Sequence, residues 1–370
     1  MGVSVQAIKR LILFLTLVLT ARAVQAEPFL YVPTYDAASN ITVLSVFDTA
    51  NDTRTGDAIV RGAVGTLAVR GVAFSPAGNR IYAASRTAVS VINTADNQIA
   101  AQVDVNDIQG YHALLLNPAG TLLYVTTGTG TTVINTATNT VVGPSDFFNG
   151  SSTAEAAFNP AGTLLFRAIS TANTVEVVDT ASHAVVATIP VGAGIDIAVN
   201  LAGTRLYVLN TGTATNPQSY SVSVIDTFTN LVIATIPMGD SPAHLVANSA
   251  GARVYVTHPY SVVDGAVTVH GTVSVIDTAT NSVIDTIPAG DQAARIAINP
   301  NGTRLYVQST VIGAPLGESL ISVIDTACNT NIGTISQAAV GGYFQDLYLW
   351  AKSVITPCQT RTRGVLTSLS

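Results

Sequence analysis

The chain is a succession of short apolar runs, each closed by a cluster of turn-forming residues. Residues 273–276, Val-Ser-Val-Ile, alternate between the two sides of an extended chain, as a half-buried strand requires. Residues 304–308 surround an aromatic, Tyr306, and residues 283–287 end in Pro-x-Gly. Residues 295–299 lead into Pro300-Asn301-Gly302, where proline fixes one φ and glycine is free to take a positive one. Asp277 opens a tight turn, because its carboxylate can accept a hydrogen bond from the backbone two residues on. Val, Ile, Thr and Tyr dominate the runs, and such side chains suit a pleated surface. The pattern predicts a cassette of four short strands, clearest from His244 to Gly290.

The cassette returns along the chain. An aromatic marks its second run at Tyr31, Tyr82, Tyr124, Phe166, Tyr207, Tyr255 and Tyr306. An Asp/Asn-Thr pair closes its third, at Asp48, Asn93, Asn135, Asp179, Asp226, Asp277 and Asp325, each followed by threonine. Both marks occur seven times in register, with aromatics 51, 42, 42, 41, 48 and 51 residues apart. A four-stranded sheet this small cannot bury its faces alone, so copies must stack. Four strands in a repeat of about 40–50 residues predict a seven-bladed β-propeller, an all-β fold. The first cassette, from Phe29, lacks an innermost strand, and residues 343–350 form an extra apolar run with no cassette behind it. One C-terminal and three N-terminal strands are therefore expected to complete one blade, which removes exposed sheet edges.

Residues 1–26 have the layout of a secretory signal. Lys9 and Arg10 precede an apolar core, residues 11–19, and Val24-Gln25-Ala26 offers small residues for cleavage. That core is well short of the ~20 residues of a membrane-spanning helix. The expected organisation is a signal at 1–26, a propeller over 27–351 and a tail at 352–370, in a periplasmic or secreted protein without a membrane span. Of 370 residues 48% are hydrophobic and 10% charged, which fits many small buried strands. Net charge is −6, from 16 basic and 22 acidic residues; without Lys9, Arg10 and Arg22 it is 13 minus 22, or −9. With no basic stripe, nucleic acid is not an expected partner. Cys328 and Cys358 are expected to pair in an oxidising compartment and pin the tail, since neither has CxxC spacing.

Arg-Leu-Tyr-Val at 205–208 and 304–307, with Ser-Val-Ile-Asp-Thr-Ala-Thr-Asn at 274–281, resembles the YVTN-type β-propeller repeat. That family includes archaeal surface-layer and bacterial periplasmic propellers, and the resemblance covers nearly all of residues 27–351. It implies the fold; its motif residues are turn and core residues and carry no activity. Related propellers include lactonase-like enzymes and subunits of quinone-dependent dehydrogenases. Blade 4, counting from Tyr31, departs most, with Phe166-Arg167 in place of Tyr-Val and His183 in its turn.

The connection between second and third strands should lie on the face opposite the Asp-Thr turns. The aromatic-to-Asp/Asn intervals are 17, 11, 11, 13, 19, 22 and 19, so long connections fall in the neighbouring blades 5, 6, 7 and 1. A wall of loops is expected there, carrying Tyr35, Asp36, Tyr220, His258, Tyr260, Asp264, His270 and Glu318. Four residues before the Asn of each first strand, or before Ser75 in blade 2, stand Gly71, Ala113, Glu155, Asp196, His244 and Arg295, with Asp346 completing the set. Ionisable groups converging on a channel mouth make a candidate site. Arg295 could hold a carboxylate bidentately, and His244 could make binding depend on pH. No metal is expected, because His244, His258 and His270 lack a short ligand spacing. No cofactor is expected either, since the chain has no Walker loop, HExxH or nucleophile elbow. The reading is a monomeric binding or scaffold protein for a small polar ligand or a protein partner. The alternatives are a lactonase-like hydrolase and a propeller subunit of a quinone-dependent dehydrogenase.

Overall fold

The computed structural model describes residues 29–36, 41–49, 53–64, 69, 71–85, 87–105, 111–127, 130–145, 153–211, 220–239, 241–263, 266–268, 270–299, 301–310, 319–336, 343–344 and 348–350. Its regular structure is strand, arranged as a seven-bladed β-propeller of antiparallel blades. Each blade runs outward in chain order, as in blade 5: Ala193–Val199, Arg205–Thr211, Ser221–Asp226 and Leu231–Pro237. The expected signal and tail lie outside the described residues.

Blade 1 closes the ring as expected, with a refinement. Tyr348–Trp350 pairs with residues 29–31, while Tyr343–Phe344 pairs with Thr34 and Tyr35 one residue out of that register. The innermost strands lie side by side around the axis, and Tyr348–Trp350 sits between those of blades 7 and 2. The core is distributed between blades. Seven apolar clusters fill the seven interfaces, and Tyr31, Tyr82, Tyr207, Tyr255 and Tyr306 are each almost wholly buried in one.

The two repeated turn motifs occur in register because they bind one another. The threonine hydroxyl of the Asp/Asn-Thr pair donates to the carbonyl of the glycine that ends the first turn. The distances are 2.8, 2.6, 2.7, 2.5, 2.7 and 2.6 Å for Thr94, Thr136, Thr180, Thr227, Thr278 and Thr326. The Asp side chain caps its own turn: Asp277 accepts from the amides of Ala279 and Thr280. The fifth residue of that turn takes a positive φ, usually as asparagine, but in blade 4 as His183 at φ 61°. His183 is thus a turn residue on the face away from the long loops. The Ser182 hydroxyl, then the turn amides, hold the carboxyl of Asp179 below the usual carboxylate range, and turn amides do the same first for Asp226 and Asp277.

Blade 4 explains its own departure. In blades 5, 6 and 7 the valine after the aromatic faces a third-strand serine across the ladder. In blade 4 the same pair is Arg167 and Glu176, joined from Arg167 Nε to Glu176 Oε2 at 2.6 Å with Arg167 only 6% exposed. The Pro-x-Gly of blade 6 does not end its outer strand as expected. The strand runs Ser282–Asp291, and Asp291 pairs with Thr310 of blade 7, so the two blades form one continuous sheet.

Burial raises the tyrosine hydroxyl pKa values: Tyr31 is pushed up to about 12, and Tyr124, Tyr207 and Tyr255 move in the same direction. Because the folded values are raised, this contribution to stability is intact below the ordinary phenol value of about 10 and is lost as pH rises through about 12. Alkaline titration should therefore show phenolate absorbance appearing together with loss of β-sheet circular dichroism. Phenolate signal from all tyrosines near pH 10, with the fold intact, would contradict this burial.

Candidate functional site

The innermost strands share one irregularity. In blades 3, 4 and 5 a β-bulge falls at Tyr111/Ala113, Thr153/Glu155 and Gly194/Asp196, against the ladder of the second strand. Blades 6 and 7 repeat it in their backbone bonds. Ala243 and His244 both bond Thr257, and Ala294 and Arg295 both bond Gln308. A bulge leaves one amide without its ladder partner and re-aims the side chain beside it. The position four residues before the asparagine is therefore a built feature. At Asp196 the side chain folds back on its own strand: Oδ1 accepts from Ile197 N at 2.8 Å. Glu155, half-buried, does the same for Ala156 N at 3.3 Å.

Asp196 also reaches the next blade. Its Oδ2 accepts from Leu245 N at 2.9 Å and lies 3.1 Å from His244 Nδ1. Asp196 is buried at 8% exposure, whereas the His244 side chain is 30% exposed. A carboxylate only accepts, so Nδ1 carries the shared proton, and Nε2 is the nitrogen left to meet a ligand. His244 is fixed from the other side by Thr257, which accepts from His244 N at 3.1 Å and donates to Ala294 O of blade 7 at 2.6 Å. Thr257 escaped the sequence reading. Its signal is polarity two residues after the aromatic, where blades 4 and 5 hold Ala168 and Leu209. Arg295 is exposed in the same register position one blade on. The structure thus brings Asp196 and His244 together, with Arg295 on the neighbouring innermost strand. Asp346 lies outside the described residues.

The loop wall differs from expectation. Blades 5 and 7 do have long connections, and blade 6 carries an extra hairpin, Ser261–Val263 with Ala266–Thr268. In blade 1 the added residues lengthen the first hairpin, which stays paired to Asp36 and Ile41, so Tyr35 and Asp36 are strand residues. Tyr220 packs against the blade 5–blade 6 core instead of standing in the wall. His258 ends a strand and is 4% exposed, 2.9 Å from Ser274 Oγ through Nε2. His270 is open, 2.9 Å from Asp291 Oδ1, and Tyr260 is exposed. The three blade 6 histidines therefore face three different partners. Asp264 and Glu318 lie outside the described residues.

Geometry defines this chain as a seven-bladed β-propeller whose innermost strands carry a bulge bearing polar side chains. Solved structures that share the architecture include the following three. Hydrazine synthase of Kuenenia stuttgartiensis aligns at a TM-score of 0.58 and 18% identity over 70% of this chain and 76% of that one. A functionally unknown protein from Desulfotomaculum acetoxidans aligns at 0.65 and 14%, over 88% and 100%. The dihydro-heme d1 dehydrogenase NirN, in complex with DHE, aligns at 0.61 and 14%, over 87% and 75%. At such identities the likeness establishes the fold. No protein-family model and no curated protein sequence matches the chain.

Proposed function

We propose that this propeller is a secreted or periplasmic binding protein of the YVTN-repeat type, taking a small polar ligand or a partner's charged loop at the channel mouth. The carrying observation is the Asp196–His244 pair. A buried carboxylate holds a half-buried imidazole in one orientation beside the strand bearing exposed Arg295. Preorganised imidazole and guanidinium on adjacent strands suit an anionic oxygen, above all a carboxylate, which arginine grips bidentately. Calorimetric titration with acetate, succinate and citrate tests this. Arg295→Ala should weaken any binding at least about tenfold with the melting temperature unchanged, because its side chain is exposed. Affinity untouched by both Arg295→Ala and His244→Ala would overturn the reading.

The same pair supports a second reading as a lactonase-like hydrolase, since an Asp-oriented imidazole is a general-base geometry. Turnover of a lactone panel that vanishes in His244→Ala would favour it, while quinone-linked amine or alcohol oxidation would point to the dehydrogenase-subunit alternative. Export carries its own expectation. In protein from an oxidising compartment Cys328 and Cys358 form a disulfide; closing a loop of 30 residues, it contributes roughly 3–4 kcal/mol on the chain-entropy account. Thiol titration of denatured, unreduced protein should find no free thiol; two would rule the bond out.

A further inference from the structure

A groove of about 400 Å³ separates the link leaving blade 5 from the outer half of blade 6. His258 and Ser274 line it at 4% and 8% exposure, 2.9 Å apart. Thr272, Thr286 and Tyr260 add hydroxyls, and Val283 is the one large apolar side chain of the described lining. No carboxylate, ammonium or guanidinium belongs to that lining.

The repeat accounts for part of this. Serine recurs at the Ser274 position in Ser45, Ser90, Ser223 and Ser322, all buried. There it serves the scaffold: Ser322 Oγ donates to Ala289 O of blade 6, and Ser45 Oγ to Asp57 Oδ1 of its own blade. The repeat does not account for an imidazole three residues after the aromatic, where blades 5 and 7 carry Asn210 and Ser309. Nor does it account for an exposed tyrosine two residues further on, at the lip of blade 6's extra hairpin.

The lining selects its ligand by chemistry. An ion would find no counter-charge among the described lining residues, and an apolar molecule would strand four hydroxyls and an imidazole away from water. A neutral, many-hydroxylated molecule satisfies both, exchanging donors and acceptors with the walls while an aromatic ring covers its C–H face. The volume is at the lower end of the ~300–1,000 Å³ typical of small-molecule sites, room for one or two sugar rings. We propose that this groove binds a neutral saccharide. It uses none of Asp196, His244 or Arg295, so it stands or falls separately from the channel mouth.

Gly239 provides a clean test. A Cβ built there meets nothing within 4 Å, and its φ lies outside the left-handed range. Gly239→Leu should therefore plug the groove, which Gly239 also lines, without straining the fold. Glucose, galactose and N-acetylglucosamine, with maltose, lactose and chitobiose, are titrated against the full chain by saturation-transfer NMR and calorimetry. At least one should bind one-to-one. Tyr260→Ala should weaken it about tenfold or more, Gly239→Leu should abolish it, and His244→Ala should leave it unchanged. Melting curves of both groove variants should match the parent, since neither position is a core residue. Absence of binding by all six sugars at millimolar concentration would overturn the proposal. So would binding that survives both groove variants. Binding lost only in His244→Ala would assign the sugar to the channel mouth, sinking the groove and sparing the mouth.

Discussion

Deleting residues 343–370 should lower stability by on the order of 5 kcal/mol, or leave the chain unable to hold a closed ring. Tyr348–Trp350 and Tyr343–Phe344 together pair with five residues of blade 1's first N-terminal strand. Each net hydrogen bond is worth about 1 kcal/mol, and loss of several also uncovers an inner sheet edge. Leu30, Tyr31 and Val32, at 0–1% exposure, sit on that edge strand and fill the clusters shared with blades 7 and 2. The damage therefore spreads to two interfaces. The measurement is thermal and urea unfolding of the truncated chain. An unchanged melting temperature would mean that the C-terminal strands do not hold the ring.

The second large effect lies in blade 4. Glu176→Ala should cost about 3 kcal/mol or more, because it leaves the Arg167 guanidinium buried without its carboxylate. Arg167→Val should cost less, since the Glu176 side chain is 22% exposed and can turn to water, whereas that of Arg167 is 8% exposed. The double substitution Arg167→Val with Glu176→Ser writes the pair of blades 5, 6 and 7 into blade 4 and should be neutral or stabilising. Urea unfolding of the three variants checks this order. A double variant as unstable as Glu176→Ala would show that the pair is required by its blade 3 neighbours, where the interface has the smallest apolar cluster.

Both effects bear on what could be read beforehand. Blade number, strand order and the closing pair were legible because turn chemistry is local. Asp, Thr, Asn and Gly occur where one turn needs each of them, and the Thr–Gly clasp keeps the two motifs in phase. The polar channel-mouth set was legible as a column of residues, since counting back from asparagine follows the strand. That it sits on a bulge was not, because a bulge depends on register with a second strand. The Asp196–His244 contact joins residues 48 apart across blades, and nothing local encodes it. Interval length misled at blade 1, where extra residues lengthened a hairpin, because a count cannot distinguish paired from unpaired chain. His258 read as a loop residue because its strand continues past the apolar run that announced it.

The Asp291–Thr310 pairing gives the ring an uneven stiffness. Among the described residues, the other neighbouring blades meet mainly through side chains. Blades 6 and 7 are also tied by main-chain pairing at Asp291 and Thr310, and hydrogen exchange is expected to show them opening as one block. His244, Arg295 and the blade 6 wall of the groove belong to that block. Asp196 stands just outside it, on blade 5, and its bonds to Leu245 and His244 cross the seam where the two joined blades begin. A ligand bridging His244 and Arg295 would meet two groups held at constant separation, while one that also engaged blade 5 would feel the ring flex.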